Sequence, residues 1–301
     1  MSARGHPLHV NDSGDLHCTL AALATHPIKS CAGIAQHEAL LVETGLQFDR
    51  QWMVVDEDGR MLTQREWPRL ALIECRFKGD DLLLRAPGML ALHLSLDHVE
   101  AATRVQVWDD TVRAYDMGAL ASQWVSDFLA RPGRPPLKLR IVRFDPEQKR
   151  LSNQRWTGAV EAENAFSDGF PILVASTASL AELNRRLAQR GAAAVDLRRF
   201  RPNVVLDGVE PFDEDHLDEL HIDAEGGPVV LRLVKPCVRC GIPNVDPDQA
   251  SIGDEPGATL AGFRSDPRMD GGITFGMNAV IVQGIDCVLR VGQAVRASWK
   301  V

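Results

Sequence analysis

Short runs of alternating apolar and polar residues, broken by turn residues, fill most of the first half of the chain. At residues 92–96 leucines alternate with polar residues, the period-two pattern of a strand with one buried face. Asp58-Gly59 separates two apolar runs, and this dipeptide is typical of a tight β-hairpin turn. The pattern over residues 19–113 therefore predicts hairpins and sheets, without alternation of strands and helices.

Helical spacing of apolar residues predicts a first helix over Gly118–Ala130. A second helix is expected to begin with a capping box formed by Ser179 and Glu182 and to end at Gly191. A long Gly- and Pro-rich stretch over 243–276 is predicted to be a loop with one short helix. Further apolar runs predict strands at 137–144, 171–175, 203–206, 229–234, 279–282, 287–291 and 294–299.

Many short strands with few helices predict a mainly β protein of the α+β class. Closed or nearly closed barrels are expected, because closure removes exposed sheet edges. A polar, aperiodic stretch follows residue 144 and marks a domain boundary. We therefore expect a flexible leader at 1–16, a β-rich domain at 17–145 and a second β domain at 146–301.

The charge and the composition argue against several classes of function. The 301 residues include 33 Lys and Arg against 41 Asp and Glu, a net charge of −8. This balance argues against a nucleic-acid surface or an anionic-membrane surface, but it permits one anionic ligand in a locally basic pocket. No apolar run approaches the ~18–20 residues of a membrane helix, and the N-terminus lacks a signal-peptide pattern. The expected compartment is the cytoplasm.

The densest candidate chemistry lies in Lys235-Pro236-Cys237-Val238-Arg239-Cys240. Two buried structural cysteines would explain it, since free cysteine is often buried. A zinc site, a redox dithiol and a single thiolate holding a soft metal are the functional alternatives. The flanking cations favour thiolate, and Pro236 suggests that the preceding strand ends there. Spacing alone leaves these alternatives open.

Basic residues also occur beside several predicted strands, namely Lys29-Ser30, Arg50 and the cluster Arg198-Arg199-Phe200-Arg201. Solvation, ion pairing or compensation of a helix dipole would explain each of them. Binding of a phosphate by guanidinium groups is the alternative. Asp168-Gly169 precedes another strand, and a glycine there allows close approach of a ligand to the backbone.

In this order, these segments resemble the MOSC family, named after the C-terminal domain of molybdenum cofactor sulfurase. Cys-x-Arg-Cys followed by Val-Asp-Pro-Asp is the most specific element, and Pro-Ile-Lys-Ser is the second. The similarity covers about residues 18–299 and is strongest to two-part proteins of the amidoxime-reducing type. It is carried by the segments His26–Cys31, Gly45–Trp52, Phe166–Leu173, Phe200–Val204, Cys237–Asp248 and Phe275–Val282.

The resemblance implies an N-terminal β-rich MOSC domain, a MOSC β-barrel domain, and a phosphorylated pterin molybdenum cofactor between them. Cys240 matches the family's metal ligand, which spacing could not distinguish from Cys237. At Gly169 and Phe170 some members carry hydroxyl residues, so only backbone groups could serve here. The positions that match or adjoin cofactor contacts are Lys29, Ser30, Arg50, Asp168, Gly169, Phe170, Arg201 and Asn203.

The implied activity is a molybdenum-dependent reductase with a cofactor of the sulfite oxidase class. Its substrate would be a small N-hydroxylated compound, and its electrons would come from a separate protein of the ferredoxin, flavodoxin or cytochrome type. Neither a membrane anchor nor an iron–sulfur domain is expected. The loop at 243–276 is our candidate for substrate specificity. The alternative function is a carrier of the cofactor, or of persulfide sulfur on Cys240.

Overall fold

The computed structural model describes residues 15–300 and is built mainly from strands. Four helices are present in that range: α1 (Ala119–Leu129), α2 (Gln154–Thr157), α3 (Thr177–Gln189) and α4 (Gly257–Ala261). The strands are β1 (Leu16–Thr25), β2 (Ile34–Gln36), β3 (Glu38–Val42), β4 (Gly45–Leu46), β5 (Trp52–Val55), β6 (Glu74–Lys78), β7 (Asp81–Arg85), β8 (Leu92–Ser95), β9 (Ala102–Val107), β10 (Asp110–Asp116), β11 (Arg140–Phe144), β12 (Ile172–Ser176), β13 (Val204–Asp207), β14 (Leu217–Ala224), β15 (Gly227–Val238), β16 (Ser265–Asp266), β17 (Gly272–Gln283), β18 (Val288–Arg290) and β19 (Ala294–Trp299).

Seven strands close into a barrel in the order β12-β13-β1-β19-β14-β15-β17, and β17 pairs with β12 to complete the ring. All neighbours are antiparallel except β12 and β13, and α3 makes the crossover that a parallel pair needs. Apolar side chains such as Leu20, Leu206 and Leu231 fill the interior. The strand that opens the described chain therefore lies within a barrel otherwise built from the second half.

Most of the remaining first-half strands form smaller sheets beside the barrel, whereas β2 pairs with β1. A four-stranded sheet has the order β5-β11-β10-β9, and β6, β7 and β8 form a meander. Helix α1 contacts both β11 and β8, and its buried Trp124 and Phe128 join the apolar core there. The last strand of this group ends at Phe144, next to the polar stretch of the sequence.

The structure confirms a mainly β fold with few helices and a closed barrel. The first helix, most hairpins and the short helix after residue 256 lie close to their predicted positions. Among residues 15–300, no helix has both the length and the apolar character that crossing a bilayer requires. Residues 1–14 of the expected leader lie outside the described residues, whereas Leu16 already belongs to β1.

Four local predictions were wrong, and one of them is the loop expected over 243–276, because β16 lies within it and β17 already begins at Gly272. Helix α3 begins one turn early because Ser176 is its N-cap and accepts a hydrogen bond from the Ser179 backbone N–H at 3.1 Å. The apolar run Leu70–Phe77 predicts a strand, but residues 68–72 form a 3-10 helix, which Pro68 favours at its first position, so the strand begins later, at Glu74. Strand β15 continues past Pro236 to Val238, because a register shift against β17 accommodates the missing N–H.

Candidate active site

A single pocket is lined by all nine residues predicted from the sequence to hold a cofactor or a metal. The residues come from separate segments, after β1, before β5, before β12, before β13 and after β15. The pocket thus lies where the first-half sheets meet the barrel. Residues distant in sequence converge there because the first strand of the chain belongs to the second half's barrel.

Lys29 is a buried cation on one side of the pocket. Its backbone N–H donates to the Trp52 carbonyl at 2.8 Å, which fixes the turn after β1. Its Nζ donates to the Phe166 carbonyl at 2.8 Å and to the Asp168 carboxylate. Burial lowers the pKa of Lys29, while the charge of Asp168 and its hydrogen bond oppose that shift. The Asp168 side chain is 71% exposed, so a ligand can reach this pair.

Arg50 and Arg201 form a second, adjoining cationic group. Arg50 pairs with the buried Asp49, and its Nη2 donates to the Arg201 carbonyl at 3.0 Å. Arg201 donates to the Cys31 carbonyl from one nitrogen, whereas its buried Nη2 has no hydrogen-bond partner. Burial and the charge of Arg50 lower the pKa of Arg201 to about 10. An unpaired buried donor of this kind suits an acceptor on a ligand.

The two cysteines after β15 differ in their surroundings. Cys237 is partly buried, and its Sγ lies 2.9 Å from Nη1 of Arg239, which donates to it. Nη2 of the same arginine donates to the Phe200 carbonyl at 2.7 Å, while its buried Nε has no partner. Cys240 is exposed and lines the pocket. Arg239 therefore links the cysteine segment to the segment that carries Arg201.

The charges of the pocket do not cancel. Lys29 is paired with Asp168 and Arg50 with Asp49. Among residues 15–300, neither Arg201 nor Arg239 has a carboxylate within salt-bridge distance. Two positive charges remain uncompensated, so the pocket suits a dianionic group.

Comparison with known proteins gives the family. Residues 17–132 match the MOSC N-terminal beta barrel domain, and residues 161–296 match the MOSC domain. The chain belongs to the MOSC family. Mitochondrial amidoxime reducing component 2 of Bos taurus is 36% identical to this MOSC protein over 255 residues, or 82% of this chain and 72% of that one. Component 1 of Mus musculus is 36% identical (82% and 71% covered), and component 1 of Homo sapiens is 35% identical (82% and 72% covered).

In the described part of this MOSC protein, four of the nine non-glycine residues with a positive φ angle line the pocket. Ser30, Arg50 and Arg201 have left-handed φ angles of 66°, 49° and 59°, a region that non-glycine residues rarely occupy. Trp108, which also lines the pocket, has φ 54°. Such conformations persist when the surrounding structure enforces them, and they cluster at functional sites.

Some candidate residues serve the framework of the pocket more than its surface. The Asn203 side-chain oxygen accepts from the Leu173 N–H at 3.1 Å, and its nitrogen donates to the Ala24 carbonyl at 3.1 Å. Asn203 therefore joins three barrel strands beneath the pocket. Gly169 presents its backbone there, and its carbonyl lies 3.4 Å from the Asn164 side-chain nitrogen.

Two arginines of the basic cluster lie outside the pocket. Arg198 pairs with Asp196 and Asp248, and Arg199 pairs with Asp246. Only Arg201 of the three lines the pocket. Asp246 and Asp248, from the Val-Asp-Pro-Asp motif, are therefore partners of these two arginines.

Several pocket residues were not selected from the sequence. None of residues 243–276 lines the pocket, although this loop was our candidate for specificity. Thr63, Trp108 and Asn278 line it instead. One sequence signal could have identified Trp108: it is an aromatic residue at the polar position of the alternation Val105-Gln106-Val107, directly before Asp109-Asp110.

Proposed function

We propose that this MOSC protein binds a phosphorylated pterin molybdenum cofactor in the pocket and reduces N-hydroxylated compounds. The proposal depends on one observation. Buried cations from separate segments and the exposed thiol of Cys240 line the same pocket. The names of the amidoxime-reducing relatives support the substrate class.

The residues present fit the phosphate and the polar edge of such a cofactor. A phosphate monoester carries about −1.5 to −2 charge at pH 7, which matches the two uncompensated cations. The unpartnered Arg201 Nη2 and Arg239 Nε supply buried donors, and the Lys29 ammonium and the Arg50 guanidinium lie in the same pocket. At Gly169 the backbone alone can contact the cofactor, because this residue has no side chain.

Cys240 is the proposed metal ligand. A thiolate is a soft donor that suits a metal of this kind. Residues 15–300 contain no cluster of three or more His, Cys, Asp or Glu residues that could hold a metal ion, so the other metal ligands would come from the cofactor. When bound, the cofactor supplies the redox chemistry that removes oxygen from the N–O group.

The chain's own residues orient and admit the reactants. Exposure of Cys240 leaves room for a small substrate beside the metal. Arg239 donates to the sulfur of Cys237, so the surroundings of the two thiols differ, and the family resemblance assigns the role of ligand to Cys240. Electrons would come from a separate ferredoxin, flavodoxin or cytochrome, the donor classes that the family resemblance implies.

The test uses protein made in a host that synthesises the cofactor. We expect about one molybdenum atom per chain, because a single cysteine ligand is proposed, together with turnover of an amidoxime by a chemical or protein reductant. Cys240→Ser is expected to lose more activity than the roughly 10–100-fold that changes around a metal ligand cost. Cys237→Ser is the matched control and is expected to lose less.

Equal activity of wild type and Cys240→Ser would contradict the ligand assignment. A labile sulfur adduct on Cys240 in the mass spectrum, without turnover by the wild type, would favour the carrier function instead. Metal analysis and mass spectrometry therefore separate the two functions.

A further inference from the structure

Trp108 occupies an unusual place at the tip of the hairpin between β9 and β10. Val107 pairs with Asp110, so Trp108 and Asp109 are the only residues of the turn. Of these two, only Trp108 has a positive φ, 54°. A positive φ at the first turn residue is the pattern of a type II′ turn, where glycine is the usual residue. A bulky aromatic side chain is unfavourable there.

The indole ring is nevertheless held in place by three contacts. Its Nε1–H donates to Asp168 Oδ1 at 3.1 Å. The Arg65 guanidinium lies over the ring, 4.7 Å from its centroid, and Arg65 Nε donates to the Thr63 hydroxyl at 3.3 Å. The Lys29 ammonium lies 5.8 Å from the same centroid. The ring is therefore fixed beside the Lys29–Asp168 pair.

Packing does not explain this tryptophan. The residue is 38% exposed, and Trp108 belongs to none of the apolar core clusters among residues 15–300. Its neighbours Val105, Val107 and Val112 do belong to one. A strained, exposed aromatic residue that lines the pocket points to a ligand.

We infer that Trp108 is a stacking wall of the pocket and contacts a flat, conjugated ring. Aromatic rings gain attraction in offset-stacked contacts beyond simple burial, and the rigid hold on the indole lowers the entropy lost on binding. The identity of that ring rests on the proposed function. It is either the pterin of the cofactor or an aryl group of the substrate, and both would offer the same flat face.

The direct test is ligand binding to the cofactor-free protein by calorimetry. Pterin-6-carboxylate is the flat anionic probe and inorganic phosphate is the probe without a ring. Trp108→Leu is expected to weaken binding of the pterin probe roughly 3- to 10-fold, as for loss of an aromatic contact. Trp108→Phe should stay close to wild type, and phosphate binding should be the same in all three proteins.

Equal affinity of Trp108→Leu and wild type for the pterin probe, together with an unchanged KM for benzamidoxime in the loaded Trp108→Leu enzyme, would overturn the inference. The variant Trp108→Gly tests whether Trp108 instead serves the fold. If the ring serves a ligand, the melting temperature of Trp108→Gly should differ from that of wild type by no more than about 3 °C, because glycine suits the turn. A much larger fall would make the ring a structural element and would also overturn the inference.

The loaded enzyme distinguishes the two sources of the ring. Lower pterin content in purified Trp108→Leu would assign the wall to the cofactor. Unchanged content, with a raised KM for benzamidoxime but not for acetamidoxime, would assign it to the substrate. No change in either would overturn the inference. If wild type holds no molybdenum while the pterin probe still needs Trp108, the proposed function fails and the stacking wall stands.

Discussion

Arg198 and Arg201 lie three residues apart and meet opposite surroundings. Arg198 is 58% exposed on its side chain and pairs with both Asp196 and Asp248. Arg201 points into the pocket beside Arg50, and one of its buried nitrogens has no partner. The same residue type, within one short segment, is neutralised at the surface and left unneutralised in the pocket.

This difference separates structural charge from functional charge. In an exposed ion pair the protein itself supplies both charges, and the pair contributes little to the stability of the fold. A buried guanidinium without a carboxylate costs free energy in the folded protein, and a bound anion would offset that cost. The pocket, and not the longer basic cluster in the sequence, therefore marks where an anion is expected to bind.

The strongest test of this comparison is Arg201→Met. Loss of a charge-assisted hydrogen bond worth about 1.5–3 kcal/mol should weaken binding of inorganic phosphate to cofactor-free protein roughly 10- to 100-fold. Pterin content after purification should fall in the same variant. Arg198→Met removes the same charge outside the pocket and should change phosphate binding less than about twofold. Similar losses of phosphate affinity in both variants would contradict the comparison. They would show that the electrostatic field of the whole basic cluster, and not Arg201 alone, determines phosphate binding.

A second test concerns the protonation of His26, which is buried behind the two pocket arginines. Burial, together with the charges of Arg50 and Arg201, lowers the pKa of His26 from 6.5 to about 3. Below pH 6.5 the unfolded chain binds a proton that the folded chain does not, so this group lowers the unfolding free energy by about 1.4 kcal/mol per pH unit as the pH falls towards 3.

Arg201→Met removes one of the charges that depress this pKa. The His26 resonances, followed by NMR against pH, should therefore titrate at higher pH in Arg201→Met than in wild type. Arg198→Met should leave the titration unchanged. If both variants titrate like wild type, desolvation alone would explain the shift, and the electrostatic part of the comparison would be wrong.

Sequence reasoning could identify the site residues because each motif is short and local. The nine candidates came from segments whose residue types carry the chemistry or match a family pattern, and all nine line one pocket. The sequence did not show which charged residues form ion pairs with one another. Which arginine of the basic cluster stays unpaired depends on Asp246 and Asp248, which reach back across nearly 50 residues.

The sequence could not predict long-range strand pairing either. Nothing in residues 16–25 predicts that β1 lies between β13 and β19, because its alternating pattern suits any half-buried position. The N-cap of α3 could not be chosen from pattern either, since Ser176 and Ser179 are equally good capping residues. The strain at Trp108 likewise appears only when the backbone angle is known.

The smallest expected effect comes from the surface partner of Arg198. Asp248→Asn leaves an exposed arginine that Asp196 still neutralises, so we expect the unfolding free energy in urea to fall by no more than about 0.5–1 kcal/mol, and less at high salt. Phosphate binding should not change.

Asp246→Asn is the companion variant, since Arg199 is only 15% exposed and also donates to the Pro243 carbonyl at 3.2 Å. Its loss of stability should be the larger of the two. If Asp248→Asn instead tightened phosphate binding severalfold at low salt, the surface arginines would contribute to the pocket's field and the division drawn between the two regions would fail.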